Sequence, residues 1–141
     1  MRWVFADTGY WIALLNVRDR LHASATAVAG QFDEYGIVTS EVVLIETLNA
    51  FSDCGPYLRL QAVEWAQATT NDPGVEVVPQ SFALFRTALA LYRDRPDKDW
   101  SLTDYASFAI MEQRHITEAL TQDRHFEQNG YRALLRGANS G

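Results

Sequence analysis

Short apolar runs alternate with longer segments of helical periodicity along the chain. The apolar runs predict five strands, at residues 2–6, 37–39, 75–78, 119–121 and 131–135. Apolar residues at helical spacing predict helices at 8–17, 21–34, 40–53, 57–70, 81–94 and 102–114, with a short helical turn at 123–128. Strands separated by helices are typical of an α/β fold. We therefore predict a central parallel sheet flanked by helices on both faces.

The length and the ends of the chain predict a single domain. With 141 residues, no internal repeat and no linker-like stretch, one domain over residues 1–136 is expected. The sequence Gly-Ala-Asn-Ser-Gly predicts a flexible tail at 137–141. No segment approaches the ~20 apolar residues of a membrane span. Asp7 interrupts the first apolar run too early for a signal peptide, so no membrane association is expected.

Charge and cysteine content narrow the function classes and the compartment. A net charge of −6 argues against a general nucleic-acid coat protein. The single cysteine, Cys54, excludes an intramolecular disulfide and favours the reducing cytoplasm. We expect Cys54 to be an inert, partly buried thiol, because no neighbouring residue would activate it.

Four acidic residues occur at junctions that an α/β fold would bring together. Asp7 follows the first strand, Glu46 lies in the third helix, Asp104 lies near the start of the sixth, and Asp123 follows the fourth strand. Junctions at the carboxyl ends of parallel strands converge on one edge of the sheet, where ligands bind. Carboxylates gathered there would form an oxygen-rich site for Mg²⁺ or Mn²⁺.

Each acid also has a purely structural interpretation. Asp7 and Asp123 are suited to cap the helices that follow them. Ser101 and Asp104 have the spacing of a capping box. Glu46 lies in mid-helix, where no cap is needed, so it is either solvated at the edge of the packed face or paired or bound to metal.

Other chemistries have weaker support in this sequence. His22, His115 and His125 are scattered without zinc-ligand spacing, so we expect surface or structural roles for them. There is no glycine-rich phosphate loop, dinucleotide fingerprint or nucleophile elbow. A haloacid-dehalogenase-like phosphatase would need a second acid two residues after Asp7, and position 9 is glycine.

From Val4 to about Leu135 the chain resembles PIN-domain proteins, and most of all the small VapC-type toxins of toxin–antitoxin modules. The resemblance rests on four motifs in order, which are Asp7-Thr8, Ser40 to Glu46, Ser101-Leu102-Thr103-Asp104, and Leu120 to Phe126 followed by Gly130-Tyr131. Each motif is weak alone, and the ordered set is specific. The chain departs from the pattern at Gly9, where relatives often carry a small polar residue.

The resemblance implies a Rossmann-like sheet and an endoribonuclease that uses one or two Mg²⁺ or Mn²⁺ ions. Asp7, Glu46, Asp104 and Asp123 match the acidic cluster of the family. Asp7 and Asp104 would be the most direct ligands, Glu46 would act directly or through water, and Asp123 would hold a second ion or a water. Thr8 would support the site through its hydroxyl group.

Further residues are candidates for supporting roles. Asn49, one turn after Glu46, could orient that carboxylate, and Ser101 would support Asp104 through the capping box. Asp99 is interpreted as a loop acid. If an RNA substrate binds, its phosphates would meet basic residues such as Arg93, Arg95 and Arg124.

The resemblance also implies partners. The substrate would be a tRNA, rRNA or mRNA, a cognate antitoxin would cover the acidic groove, and the toxin would be a homodimer. Six aromatic residues are available for the core or for interfaces, with the core as the default: Trp3, Trp11, Phe32, Phe51, Trp65 and Phe85. Two alternatives remain open, a PIN-like module that binds RNA or protein without cleaving, and a PIN nuclease that acts on DNA or in RNA processing without a toxin role.

Overall fold

The computed structural model describes residues 2–31 and 35–138, with five strands and eight helices in those ranges. Their order is β1 (Arg2–Ala6), α1 (Thr8–Leu15), α2 (His22–Ala29), β2 (Tyr35–Ser40), α3 (Glu41–Ala50), α4 (Pro56–Asn71), β3 (Val75–Val78), α5 (Phe82–Asp94), α6 (Leu102–Gln113), β4 (Glu118–Leu120), α7 (Arg124–Gln128), β5 (Arg132–Ala133) and α8 (Leu134–Ala138).

The five strands form one parallel sheet in the order β3-β2-β1-β4-β5. The connections from β1 to β2 and β3 run to one side, whereas β4 and β5 lie on the other side of β1. Right-handed crossovers in opposite directions place their helices on opposite faces of the sheet. The predicted α/β fold with a central parallel sheet is confirmed.

Helices α3, α5, α6 and α7 begin where a polar side chain accepts a hydrogen bond from one of their first N–H groups. The Ser40 hydroxyl accepts a hydrogen bond from the Val43 N–H (3.1 Å), and the Ser81 hydroxyl accepts one from Leu84 (3.0 Å). Pro56 occupies the first turn of α4 after Gly55, whose φ of +91° favours glycine. These caps fix where each crossover leaves the sheet edge.

A buried hydroxyl joins the first two strands to α1. Thr39 is fully buried, and its hydroxyl donates to the Ala6 carbonyl (2.9 Å) while accepting from the indole N–H of Trp11 (3.3 Å). The core around it contains Val4, Phe5, Tyr10 and other apolar residues of both faces. The backbone just before Asp7 is therefore held by strand pairing, by packing and by this hydrogen-bond chain.

Four sequence expectations differ from the structure. The last apolar run forms only a two-residue strand, followed by the helix Leu134–Ala138 instead of a strand to Leu135. Cys54 is exposed, not partly buried. Trp3 and Phe85 are 39% and 43% exposed, so they lie outside the core in this chain.

Trp11 and Phe51 are buried as expected, Trp65 is half-buried, and Phe32 lies outside the described residues. Gly137 and Ala138 of the expected tail belong to α8, and residues 139–141 lie outside the described ranges. In the parts of the chain that the structure describes, no helix is long and apolar enough to cross a membrane.

Candidate active site

The acidic residues meet at the point where the strand order reverses. β1 lies between β2 and β4, and the connections that follow β1 and precede β4 run in opposite directions. Asp7 follows β1 directly, and its N–H donates to the carbonyl of Leu120 at the end of β4 (3.2 Å). Such a switch point leaves a crevice at the carboxyl ends of the strands, where ligands bind in open α/β sheets.

Asp7 is a partly buried carboxylate whose ionised form is disfavoured at this edge. Its pKa is raised from 3.8 to about 7, mainly by burial and in smaller part by the nearby charges of Asp104 and Asp123. Hydrogen bonds from the Thr8 N–H and the Thr121 hydroxyl, the latter at 3.0 Å, act in the opposite direction. Asp7 occupies the N-cap position of α1, but its side chain makes no capping hydrogen bond. Capping therefore does not account for this carboxylate.

Glu46 reaches the same edge from α3. Its Oε1 accepts a hydrogen bond from the Thr8 hydroxyl (2.7 Å), so the residue next to Asp7 links the two carboxylates. Glu46 is half-buried, whereas Asn49 is exposed and its carbonyl accepts a hydrogen bond from the Ser52 hydroxyl (2.7 Å). Thr8 thus stands beside Glu46, and an orienting role for Asn49 stays a prediction.

Asp104 belongs both to the capping box at the start of α6, whose N-cap is Ser101, and to the acidic cluster. It forms a capping box with Ser101, in which the Ser101 N–H donates to Oδ2 (3.1 Å) and the Asp104 N–H donates to the Ser101 hydroxyl (3.0 Å). The same Oδ2 also accepts from Nδ1 of His125 (3.0 Å). Asp104 is 9% exposed, so its negative charge is held in place by two donors, the Ser101 N–H and the His125 ring, and by a helix N-terminus.

Asp123 and His125 complete the cluster after β4. Oδ1 of Asp123 accepts from the His125 N–H (2.9 Å), which caps the short α7, and lies 3.4 Å from Nδ1 of His125. Nε2 of His125 is 3.4 Å from Oδ1 of Asp99. His125 therefore contacts three carboxylates, which the expectation of an ordinary surface or structural histidine did not include. Asp99 is an exposed loop acid as expected, with this additional contact.

The donor set fits a divalent cation. Within residues 2–31 and 35–138, Asp104, Asp123 and His125 each offer one ligand atom, and these atoms all lie within 4.8 Å of one another. The hydrogen bonds described above use Oδ2 of Asp104 and Oδ1 of Asp123, which leaves the second oxygen of each carboxylate for an ion or a water. Carboxylate oxygens suit Mg²⁺ and Mn²⁺, and an imidazole nitrogen suits later transition metals. Asp7 and Glu46 stand beside this group, not within it.

The three predicted RNA-binding arginines are exposed, but two are paired. Arg93 contacts Asp94 (3.0 Å), and Arg95 makes two hydrogen bonds to Asp97 (3.1 and 3.2 Å). Arg124 is exposed next to Asp123. Two arginines that the sequence did not single out, Arg20 and Arg136, line a cleft together with Asp7 and Asp123.

The sequence reasoning did not identify Thr121, Arg20 or Arg136 as site residues, and it assigned His125 a surface or structural role. Only Thr121 and His125 carried a usable signal, because both lie within two residues of Asp123. Thr121 uses one hydroxyl for two acids, donating to Asp7 and accepting from the Asp123 N–H (3.0 Å each). The two arginines reach the site only through the tertiary fold, so spacing alone could not find them.

Comparisons with known proteins agree with this geometry. The family model of the PIN domain matches residues 4–130, so the chain belongs to the PIN-domain family. Among solved structures, the chain is similar to the crystal structure of VapC20 from Mycobacterium tuberculosis, described as a sarcin–ricin loop cleaving toxin. The TM-score is 0.80 at 28% identity, over 91% of this chain and 95% of that one. A comparison with curated proteins found no match.

Proposed function

We propose that this protein is a metal-dependent endoribonuclease that hydrolyses RNA phosphodiester bonds, and that it is the toxin of a type II toxin–antitoxin pair. The observation that carries the proposal is the convergence of Asp7, Asp104 and Asp123 at the switch point of a PIN-family sheet. Glu46 joins them through Thr8. The similarity to a VapC toxin supports RNA as the substrate and toxicity as the biological role.

We assign Asp7, Glu46, Asp104 and Asp123 to metal binding and catalysis, with Thr8, Asn49 and Ser101 supporting them. When bound, Mg²⁺ or Mn²⁺ would neutralise charge on the phosphate and lower the pKa of a water molecule. Asp104 presents its free oxygen from a capped helix start, and Asp7 contributes a poorly solvated carboxylate whose charge a cation would stabilise. The ring of His125 holds Asp104 in orientation.

We also propose three properties of the protein in the cell. An antitoxin covers the acidic edge, and the toxin acts in the cytoplasm, where an exposed free thiol such as Cys54 stays reduced. The toxin forms a homodimer through α5. Four large apolar residues of α5 are exposed at helical spacing along one face: Phe82, Phe85, Leu89 and Tyr92.

The experiment that tests the activity is cleavage of end-labelled RNA by wild type and by Asp104→Asn. The first substrate is a sarcin–ricin loop oligonucleotide, followed by total tRNA and rRNA, each with Mn²⁺ and with EDTA. We expect cleavage that is lost in EDTA and lost in Asp104→Asn. Asn keeps the shape of the side chain and an oxygen for the Ser101 N–H, so the fold is preserved.

Two outcomes would contradict the proposal in different ways. Cleavage that persists in purified Asp104→Asn would overturn the site assignment. Absence of cleavage by folded wild type, together with RNA binding that is indifferent to divalent metal, would favour the non-cleaving module. Cleavage of DNA but not RNA would favour a nuclease without the toxin role.

A further inference from the structure

Two arginines share a cleft with the acidic edge. The cleft has a volume of about 370 Å³, and the charged residues that line it are Asp7, Asp123, Arg20 and Arg136. Gly9 also lines it, and a Cβ atom added there would meet nothing within 4 Å. The cleft is therefore open beside Asp7, with carboxylates and guanidinium groups on its walls.

Arg20 is presented by an ordered loop between α1 and α2. The Asp19 side chain accepts from the Leu21 N–H (2.8 Å), the Asn16 side chain accepts from the Arg18 N–H (3.0 Å), and Nδ1 of His22 lies 2.7 Å from the Ala13 carbonyl. These bonds fix the backbone on both sides of Arg20. Arg20 is exposed and makes no ion pair with any acid in residues 2–31 and 35–138.

Arg136 is fixed by its own contacts. It forms an ion pair with Glu127, and its Nη1 donates to the Gln122 carbonyl (3.2 Å). The carbonyl bond places the guanidinium group next to the turn that carries Asp123. Arg136 is thus held by two contacts, whereas Arg20 has no ion-pair partner in the part of the chain that the structure describes.

Arg20 is exposed and has no ion-pair partner within residues 2–31 and 35–138, so its guanidinium group can bind an anion from solution. A metal ion held by the carboxylates would cancel much of their charge and leave the two arginines as the dominant charges of the cleft. Guanidinium groups bind phosphate with two parallel hydrogen bonds, and such contacts fix the register of a nucleic acid.

We propose that Arg20 and Arg136 bind a backbone phosphate of the RNA next to the scissile one, and so set where the strand enters the acidic site. This inference rests on the proposed ribonuclease function. Arg20 makes the main contact because it has no ion-pair partner among the described residues, and Arg136 assists from its position beside Gln122 in the same cleft. The role is sequence-independent, since every nucleotide offers the same phosphate.

The test compares Arg20→Ala and Arg136→Ala with matched controls. Arg18 lies on the same loop, is exposed and lines a different cleft with Cys54 and Tyr57, so Arg18→Ala controls for loss of charge. Arg132 is exposed and pairs with Glu118, so Arg132→Ala controls for loss of a surface ion pair near α8. Cleavage of a sarcin–ricin loop oligonucleotide and of an unstructured RNA is measured at fixed Mn²⁺ and several KCl concentrations.

We expect Arg20→Ala to raise KM roughly 10-fold or more on both substrates, with kcat within about 3-fold of wild type. The salt dependence of log(kcat/KM) should become shallower by about 0.7 to 0.9 per lost phosphate contact. Arg136→Ala should act in the same direction with a smaller effect, and both controls should match wild type. Arg20→Lys should restore part of the lost affinity, because lysine keeps the positive charge but cannot make the two parallel hydrogen bonds of a guanidinium group.

Unchanged KM and salt slope in Arg20→Ala would overturn the inference while leaving the nuclease proposal intact. The inference would also be overturned if Arg20→Ala lowered kcat alone, or if Arg18→Ala changed KM and the salt slope as much as Arg20→Ala does.

A binding measurement distinguishes failure of this inference from failure of the nuclease proposal. Fluorescence anisotropy of the labelled oligonucleotide is measured in the Asp104→Asn background. Arg20→Ala should weaken binding there by a similar factor, even if no cleavage by wild type is found. Equal binding would contradict the inference. Lost affinity for an antitoxin but not for RNA would instead assign Arg20 to protein recognition.

Discussion

At the scale of single residues, the burial of Asp7 contributes a pH dependence to the stability of the metal-free protein. Its carboxyl pKa rises from 3.8 in the unfolded chain to about 7 after folding, so the folded state keeps a proton that the unfolded state releases. The contribution to stability is full below pH 4 and is lost as the pH rises to about 7. The cost above pH 7 is about 4 kcal/mol at most.

Asp7→Asn should therefore stabilise the protein in EDTA at pH 8 and have little effect near pH 4. Urea unfolding at both pH values measures the difference. Asp53→Asn, an exposed acid outside the site, is the control and should change neither value. A variant that is equally destabilised at both pH values would contradict the burial of Asp7. With Mn²⁺ present, wild type should be more stable than Asp7→Asn, because the wild-type protein gains the free energy of metal binding.

His125 orients a carboxylate, so it should influence metal affinity more than the fold. Its Nδ1 lies 3.0 Å from Asp104, and removal of such a supporting contact typically lowers metal affinity about 10–100-fold. We expect His125→Ala to raise by that factor the Mn²⁺ concentration that gives half-maximal cleavage. His115→Asn is the control, because His115 is exposed with a φ of +55°, which Asn tolerates. An unchanged Mn²⁺ requirement would show that Asp104 holds its position without the imidazole.

At the scale of elements, Asp104 belongs both to the start of α6 and to the acidic edge. Asp104→Asn keeps an oxygen for the Ser101 N–H, whereas Asp104→Ala removes the reciprocal bond of the capping box. Both should abolish cleavage, but only the Ala variant should also lose about 0.5–2 kcal/mol of unfolding free energy. Thermal and urea unfolding of the two variants separate these roles. Equal stability of Asp104→Asn and Asp104→Ala would mean that the side-chain oxygen at position 104 contributes nothing to the capping box.

Substitutions of Thr39 test whether its buried hydrogen bonds stabilise the strand ends that carry the site. Thr39→Val would leave the Ala6 carbonyl and the Trp11 N–H without their buried partner, at a cost of about 1–3 kcal/mol. Thr39→Ser keeps the hydroxyl and is the matched control, with a smaller loss. Hydrogen exchange at the Asp7 amide reports whether the edge itself loosens. If Thr39→Val and Thr39→Ser destabilise the protein equally, then packing, and not hydrogen bonding, explains why threonine occupies this position.

The sequence predicted most elements because their patterns are local. The apolar run of β1 and the serine caps of α3, α5 and α6 fix both type and start. The run ending in Leu134 and Leu135 was misassigned, because a short apolar run fits a strand and a buried helix equally well. Asp7 and Asp104 were identifiable as candidates because junctions converge in α/β folds. Arg20 was not, because a loop between α1 and α2 carries it to the cleft.

At the scale of the whole molecule, the exposed face of α5 predicts self-association. Phe82 and Tyr92 are 72% and 52% exposed, which is unusual for aromatic residues of a monomer. We expect twice the 15.9 kDa chain mass by light scattering, and a shift to the monomer in Leu89→Asp. Thr87→Asp, on another exposed face of the helix, should leave the dimer intact. A monomeric wild type at micromolar concentration would refute this surface as the interface.

The turn between α4 and β3, at residues 72–74, divides the sheet into two interleaved halves. The first half contributes β1 and β2 with Asp7 and Glu46, and the second contributes β3, β4 and β5 with Asp104 and Asp123. Neither half carries the complete set of acids, and each supplies strands that the other must pair with. If the chain were cut at this turn, neither piece would carry the complete set of acids, so the proposed cleavage of RNA would need both pieces together. This makes the fold a candidate for a two-part reporter of protein proximity.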